Sequence, residues 1–368
     1  MGTHKKVLLA APYGESNGGI ATWTKHVVNY YNNLITPDVE MEILPMGRVD
    51  YMTFQRKYLK RIYLGIRDYS RFIRMEYKML KTGEYGVFHV VSSATLSLLK
   101  DYVMISIAKH FGVKSIVHFR HGTLPNIAKA NTLQWKFMKI VSRKADCVCV
   151  LNKKSFDAFN NTGVKRVVLI PNPIAPRVIE QIEKNGVVER RKNEILFVGQ
   201  CYKEKGIFEL AEACKDMSNV RLKYIGSVRP DAEPELKAYN KGREWIELLG
   251  NRSYDYVIHA MQECSIFVLP SYSEGFPNVV LESMACGCPI VATEVGSIPE
   301  MLDCEQNNGK YGICIKPKDV GALKDAINKF LYDSAYAREC GNNAKKRVTE
   351  LYSMAKVWTL LNDMWMTV

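Results

Sequence analysis

No stretch of eighteen or more apolar residues occurs, so a transmembrane helix is excluded on length. The opening MGTHKKVLLAAPYG has too short an apolar segment for a signal peptide, and Lys6 stands where a myristoylation motif needs Ser or Thr. A cytoplasmic location follows as the expectation. No two cysteines fall at C-x-x-C spacing; the ten are scattered from Cys147 to Cys340, some within apolar runs such as DCVCVL. That pattern argues for reduced, buried thiols rather than a zinc site or a disulfide framework. Asp-x-Asp is also missing, so the sequence makes no case for a metal bridged by an acidic pair, and no cofactor is expected. Zinc-finger and RNP motifs are absent, which removes the usual grounds for a nucleic-acid partner. Acidic residues are comparatively scarce, 38 Asp and Glu against 51 Lys and Arg, and the net charge of +13 favours anionic partners.

The chain has 368 residues, 47% of them hydrophobic and 24% charged, values typical of a soluble globular protein too long for one ordinary core. Short apolar runs recur at KVLLAAP (6–12), MEIL (41–44), VFHVV (87–91), SIVHF (115–119), DCVCVL (146–151) and RVVLI (166–170), mostly with helical stretches between them. Residues 171–193, rich in Pro, Asn and charge, read as a linker. The rhythm restarts with EILFVG (194–199), LKYIG (222–226), IFVLP (266–270), PIVAT (289–293) and GICIK (312–316). Alternation of this kind predicts α/β architecture, with two Rossmann-like parallel-sheet domains facing a cleft. Residues 334–368 read as helical throughout, and Val357, Leu360, Leu361, Met364 and Trp365 give the last part an apolar face.

The most informative stretch is 271–302, SYSEGFPNVVLESMACGCPIVATEVGSIPEML. Pro277 suits the first position of a helix running to Cys286, because its missing N–H would be unpaired there anyway. The free N–H groups and positive dipole of that helix start form an anion site just after Glu274. Glu282 then lies about 7.5 Å further along the axis. A ligand carrying a sugar, a diphosphate and a ribose would use all three features. A glycine loop, Gly14 to Gly19, follows the first strand, but its spacing is not GxGxxG and alone it says little.

Between Gln55 and Lys81 nine Lys or Arg face two acids. Leu59, Ile62, Tyr63, Ile66, Tyr69, Ile73, Tyr77 and Leu80 follow helical spacing, and Arg67, Arg71, Arg74, Lys78 and Lys81 fall largely on another face. Two readings stay open: a basic amphipathic helix on an anionic membrane surface, or a surface helix packed on its own sheet.

Segment 264–302, with Pro270-Ser271, Glu274-Gly275-Phe276-Pro277-Asn278 and Glu282, resembles the core signature of retaining glycosyltransferases of the GT-B fold, family 4. The resemblance extends in order over Gly18-Gly19, the strand ending at His121, VGQCYKEKG and the terminal helices. It implies an acceptor-binding domain over 1–175 with a helix at 354–368 crossing back to it, and a nucleotide-sugar-binding domain over 176–353. It implies catalytic roles for Glu274 and His121, with Lys205 neutralising the diphosphate as it leaves. Donor contacts would come from Gly18, Gly19, Gly199, Gln200, Lys205, Arg252, Gly275, Phe276, Pro277, Asn278, Val279 and Glu282, the last holding the ribose hydroxyls. Three departures stand out. Gln200 occupies the place of a frequent arginine, Asn172-Pro173-Ile174-Ala175 replaces a frequent Asn-Gly-Val-Asp, and Cys264 replaces a usual aspartate.

The function so implied is transfer of a sugar from UDP or GDP to a hydroxyl of a glycan or lipid-linked acceptor in cell-surface polysaccharide synthesis. No residue is an obvious nucleophile for double displacement, so metal-independent front-face substitution fits best. Two alternatives remain open at this level: a non-catalytic binder of anionic polymer or membrane on the same scaffold, and a sugar-nucleotide epimerase.

Overall fold

The structure is a computed structural model describing residues 5–14, 18–47, 58–94, 97–160 and 162–368, with side chains given from Tyr63 onward in the helix that begins at Tyr58. Glu15 to Asn17 of the glycine loop, residues 55–57 of the basic stretch, and the side chains of Leu59 and Ile62 lie outside this description. The chain forms two compact units, Met1–Asn172 with Met354–Val368, and Pro173–Ser353.

In the first unit, β1 (Lys5–Ala11), β2 (Val39–Pro45), β3 (Val87–Ser92), β4 (Lys114–Phe119), β5 (Cys147–Val150) and β6 (Val167–Leu169) form a parallel sheet ordered β2-β1-β3-β4-β5-β6. These strands read as unbroken apolar runs because both faces are covered; every residue of β3 and β5 is buried. Leu8, Ala10, Phe88 and Val148 pack with Phe72, Leu80, Met104, Trp135 and Met138 of helices Tyr58–Leu80, Ser97–His110 and Leu133–Lys144. The alternate residues Val7, Leu9, Val87 and Cys147 pack with Trp23 and Val27 of helix Gly19–Asn32, and with Val357, Trp358, Leu361 and Trp365 of helix Met354–Thr367.

The basic helix Tyr58–Leu80 divides its apolar residues. Phe72 and Leu80 are buried and Tyr69 and Ile73 pack on the core, whereas Tyr63 is 66% and Ile66 61% exposed. Arg71 donates to Gly47 O at 2.8 Å, so one of its expected surface cations is tied to the fold.

The second unit holds β7 (Glu194–Val198), β8 (Arg221–Ile225), β9 (Ile246–Leu248), β10 (Ile266–Leu269), β11 (Ile290–Thr293) and β12 (Ile313–Ile315), ordered β12-β11-β10-β7-β8-β9 and again parallel. The order reverses between β7 and β10. Connections leaving these neighbours turn to opposite faces and open a crevice at their carboxyl ends.

Two expectations are corrected, for the linker and for the thiols. A helix, Pro176–Asn185, forms within the supposed linker 171–193, started by Pro176, anchored by buried Val178 and ended by Gly186 at φ 67°. The terminal segment is helical as expected, with Ser353 extended between Tyr352 and Met354, where the last helix begins. Strand β9 carries only three residues, too few for a periodic signal. Finally, Cys304 and Cys314 are disulfide-bonded, their Cα atoms 5.9 Å apart, while the other eight cysteines are free and buried. The turn from helix Cys304–Asn307 into β12 brings that pair together, which their ten-residue spacing does not reveal.

Candidate functional site

The site of the second unit is assembled by the two loops at the switch point. After β7 the chain passes Gly199 and Gln200 and enters a 3₁₀ turn, Lys203–Lys205, ended by Gly206 at φ 71°. A Cβ on Gly206 would sit 2.1 Å from Pro270 O, so glycine alone lets this loop close against the end of β10. That contact sets Lys205 beside Glu274, Nζ to Oε1 2.6 Å, with side chains 21% and 13% exposed. The loop after β10 is fixed from other directions too. Tyr272 N donates to Glu204 O at 2.9 Å, and Ser297 donates to Gly275 O through N at 3.0 Å and Oγ at 2.9 Å.

Pro277 is not the first helical residue. Its ψ of 105° is extended and makes it the N-cap of helix Asn278–Ala285, which stops one residue short of Cys286. The helix start follows the loop carrying Glu274, and Val279 lies in its first turn, where Val280 N already donates to Pro277 O at 3.0 Å. Phe276 meets the edge of Tyr352 at 6.1 Å. On the second turn Glu282 accepts from Tyr254 Oη at 3.1 Å, and the Arg177 guanidinium lies 3.5 Å from the Tyr254 ring centroid. Burial pushes the Glu282 carboxyl above its ordinary range; the Tyr254 hydrogen bond and the Arg177 charge oppose that.

Lys205, Glu274, Gly275, Phe276, Pro277, Asn278, Val279 and Glu282 are therefore gathered in one place, with Gly199 at the end of β7 behind them. Gln200 is exposed, and Arg252 is exposed, its guanidinium 5.6 Å from the Tyr256 ring. Gly18, Gly19 and His121 belong to the first unit. Gly18 caps helix Gly19–Asn32 at φ 110°, with open space around both glycines. His121 follows β4 half-buried, its Nδ1 3.0 Å from Thr123 Oγ1, and burial lowers its pKa. Tyr254 and Arg177 escaped the sequence reading. Ser253 is a legible N-cap for the helix carrying Tyr254, but nothing local ties Arg177, in the supposed linker, to that ring.

The family model for glycosyl transferases group 1 matches residues 178–347. An uncharacterized glycosyltransferase, MJ1178, of Methanocaldococcus jannaschii is 26% identical over 348 residues, 93% of this chain and 92% of that one. The N,N'-diacetylbacillosaminyl-diphospho-undecaprenol alpha-1,3-N-acetylgalactosaminyltransferase of Campylobacter jejuni is 28% identical over 212 residues. That alignment covers 57% of this chain and 52% of the relative, about half its length. Among solved structures, Anabaena Alr3699/HepE in complex with UDP has a TM-score of 0.71 at 14% identity, over 99% of this chain and 100% of that one, which speaks to the fold alone. The chain matches the group 1 glycosyl transferases over residues 178–347 and is a glycosyltransferase of the GT-B fold.

Proposed function

We propose that this enzyme is a retaining, family 4 transferase that moves a sugar from a UDP- or GDP-sugar to a hydroxyl of a glycan or lipid-linked acceptor in cell-surface polysaccharide synthesis. The observation that carries this reading is the convergence of Lys205 and Glu274 from opposite sides of the switch point, with a helix mouth and Glu282 beyond them. In this reading the diphosphate lies at the helix mouth and Lys205 offsets the charge that develops as the sugar–phosphate bond breaks. Glu274 faces the transferred sugar, and Glu282 accepts from the ribose hydroxyls. The acceptor hydroxyl attacks from the leaving-group side, and its proton passes to the departing phosphate, so no metal is needed. The relative acting on a diphospho-undecaprenol acceptor and the neighbour bound to UDP support this choice of partners.

The enzyme is proposed to meet its acceptor at the inner face of a membrane through helix Tyr58–Leu80, where exposed Tyr63 and Ile66 adjoin Arg67 and Arg74. Flotation with anionic liposomes tests this; equal binding by wild type and Arg67→Ala/Arg74→Ala would remove it. A thermal-shift series with UDP, GDP and their sugars tests the donor assignment. One nucleotide should raise Tm in wild type and not in Glu282→Ala. A product of inverted configuration by NMR would sink the retaining mechanism.

A further inference from the structure

A second polar cluster, inside the first unit, takes no part in the donor chemistry. Trp365 Nε1 donates to His89 Nδ1 at 3.0 Å, His89 Nε2 faces His118 Nδ1 at 3.3 Å, and His118 Nε2 faces Arg120 Nη1 at 3.4 Å. Both imidazoles are fully buried and neutral: burial, then the Arg120 charge, draws His89 down to about 3 and His118 well below its ordinary value. A neutral imidazole has one ring proton. The three contacts must therefore accommodate four N–H groups: one from Trp365, one from each histidine and one from Arg120. Two N–H groups face each other, and the longest contact, at Arg120, bears that surplus.

Other donors in the same place also lack acceptors. Trp23 is 3% exposed, its ring stacks 4.3 Å from the Arg120 guanidinium, and its Nε1 has no hydrogen-bond partner. Arg120 Nε is buried and unpartnered as well. Asn172 Oδ1 accepts from Nη2, and no carboxylate among the described residues pairs with this arginine. Burial draws its pKa down to about 9. A desolvated cation surrounded by donors is costly unless an anion reaches it.

We infer that Arg120 and the Trp23 indole N–H form an oxyanion-binding site at the carboxyl ends of the first sheet, taking a phosphate or carboxylate group carried by the acceptor. The inference rests on the proposal that this unit receives the acceptor, since Arg120 immediately precedes His121 at the end of β4. It makes the acceptor anionic near its reacting hydroxyl. Arginine suits that role because its fork can bind an oxyanion and stay charged.

The full chain is melted in buffer free of both anions, then with inorganic phosphate, then with acetate, for wild type and Arg120→Met. Without anion, Arg120→Met should melt at or above the wild-type midpoint, because an uncompensated charge has been removed. Phosphate or acetate should raise the wild-type midpoint about 2–4 °C more than that of the variant. Lys205 is present in both proteins, so the difference reports Arg120 alone. A larger response to phosphate assigns a phosphate-bearing acceptor, a larger response to acetate a carboxylate-bearing one. A variant melting well below wild type with undiminished anion shifts would overturn the site and make Arg120 a structural cation. Trp23→Phe keeps an aromatic face against the guanidinium and removes the N–H together with part of the ring; a reduced anion shift supports the site even where Arg120→Met does not fold, and a full shift counts against it. Nucleotide affinity in Glu282→Ala is read separately, so a failed donor assignment and a failed anion site give different results.

Discussion

Lys205 and Glu274 neutralise one another, and this predicts an unusual effect of changing the carboxylate. If the diphosphate binds Lys205, it must first displace Glu274 Oε1, which lies 2.6 Å from Nζ. Two unit charges that close attract by several kcal/mol at an effective dielectric near 20, but most of that is offset by desolvation. With the side chains 21% and 13% exposed, the pair is sheltered enough to leave a net of about 1–2 kcal/mol, as for other charge-assisted hydrogen bonds. Glu274→Gln keeps the shape and removes the charge, so nucleoside-diphosphate affinity should rise about 5–30-fold. Transfer should fall by at least about 100-fold, because the group facing the sugar loses its charge. Calorimetric titration of the nucleotide into wild type, Glu274→Gln, Lys205→Gln and the double variant closes the cycle. Affinity in Glu274→Gln that matches or falls below wild type would refute the competition. So would undiminished affinity in Lys205→Gln.

Three further outcomes follow from the same geometry. Burial raises the Glu282 pKa, so nucleotide affinity should be complete above that folded-state value and fall as pH drops through it; Tyr254→Phe removes a hydrogen bond that lowers it, and the acid limb of the affinity profile should move to higher pH. An unmoved limb in Tyr254→Phe would show that this hydroxyl does not position the carboxylate. The same raised pKa costs stability once the carboxyl ionises: wild-type stability should decline as pH rises from the ordinary value of 4.5 through the folded-state value. Glu282→Gln should flatten that decline, and melting curves across pH check it. Gly206→Ala meets both a positive φ and Pro270 O at 2.1 Å, so it should cost at least about 1–3 kcal/mol by urea unfolding and weaken nucleotide binding by displacing Lys205; an unchanged midpoint would contradict the close packing.

The strands were legible because parallel sheets buried on both faces demand unbroken apolar runs, and KVLLAAP, VFHVV and IFVLP are such runs. The turn from Ser271 to Glu282 was legible for a related reason: a strand end, a proline and a helix are local features, and the error there was one residue, at Pro277. What stayed hidden depends on distance in sequence. Arg177 reaches Tyr254 across 77 positions, and Trp365 reaches His89 across 276, so no spacing rule could pair them. The same limit explains the apparent gap at Gln200. Counting cations along the motif finds one missing, but what governs the site is the charge left after pairing. With Gln200 uncharged, Lys205 is paired with Glu274, and an incoming anion must compete with that carboxylate. Donor binding then depends less on attraction by a charged pocket than on exchange of one anion for another at a single ammonium group. Such an exchange depends on salt less than binding at two free cations, because one partly buried ion pair replaces another. Raising ionic strength should therefore weaken nucleotide binding to wild type only slightly and to Glu274→Gln more steeply; equal salt slopes in calorimetry would argue against the exchange.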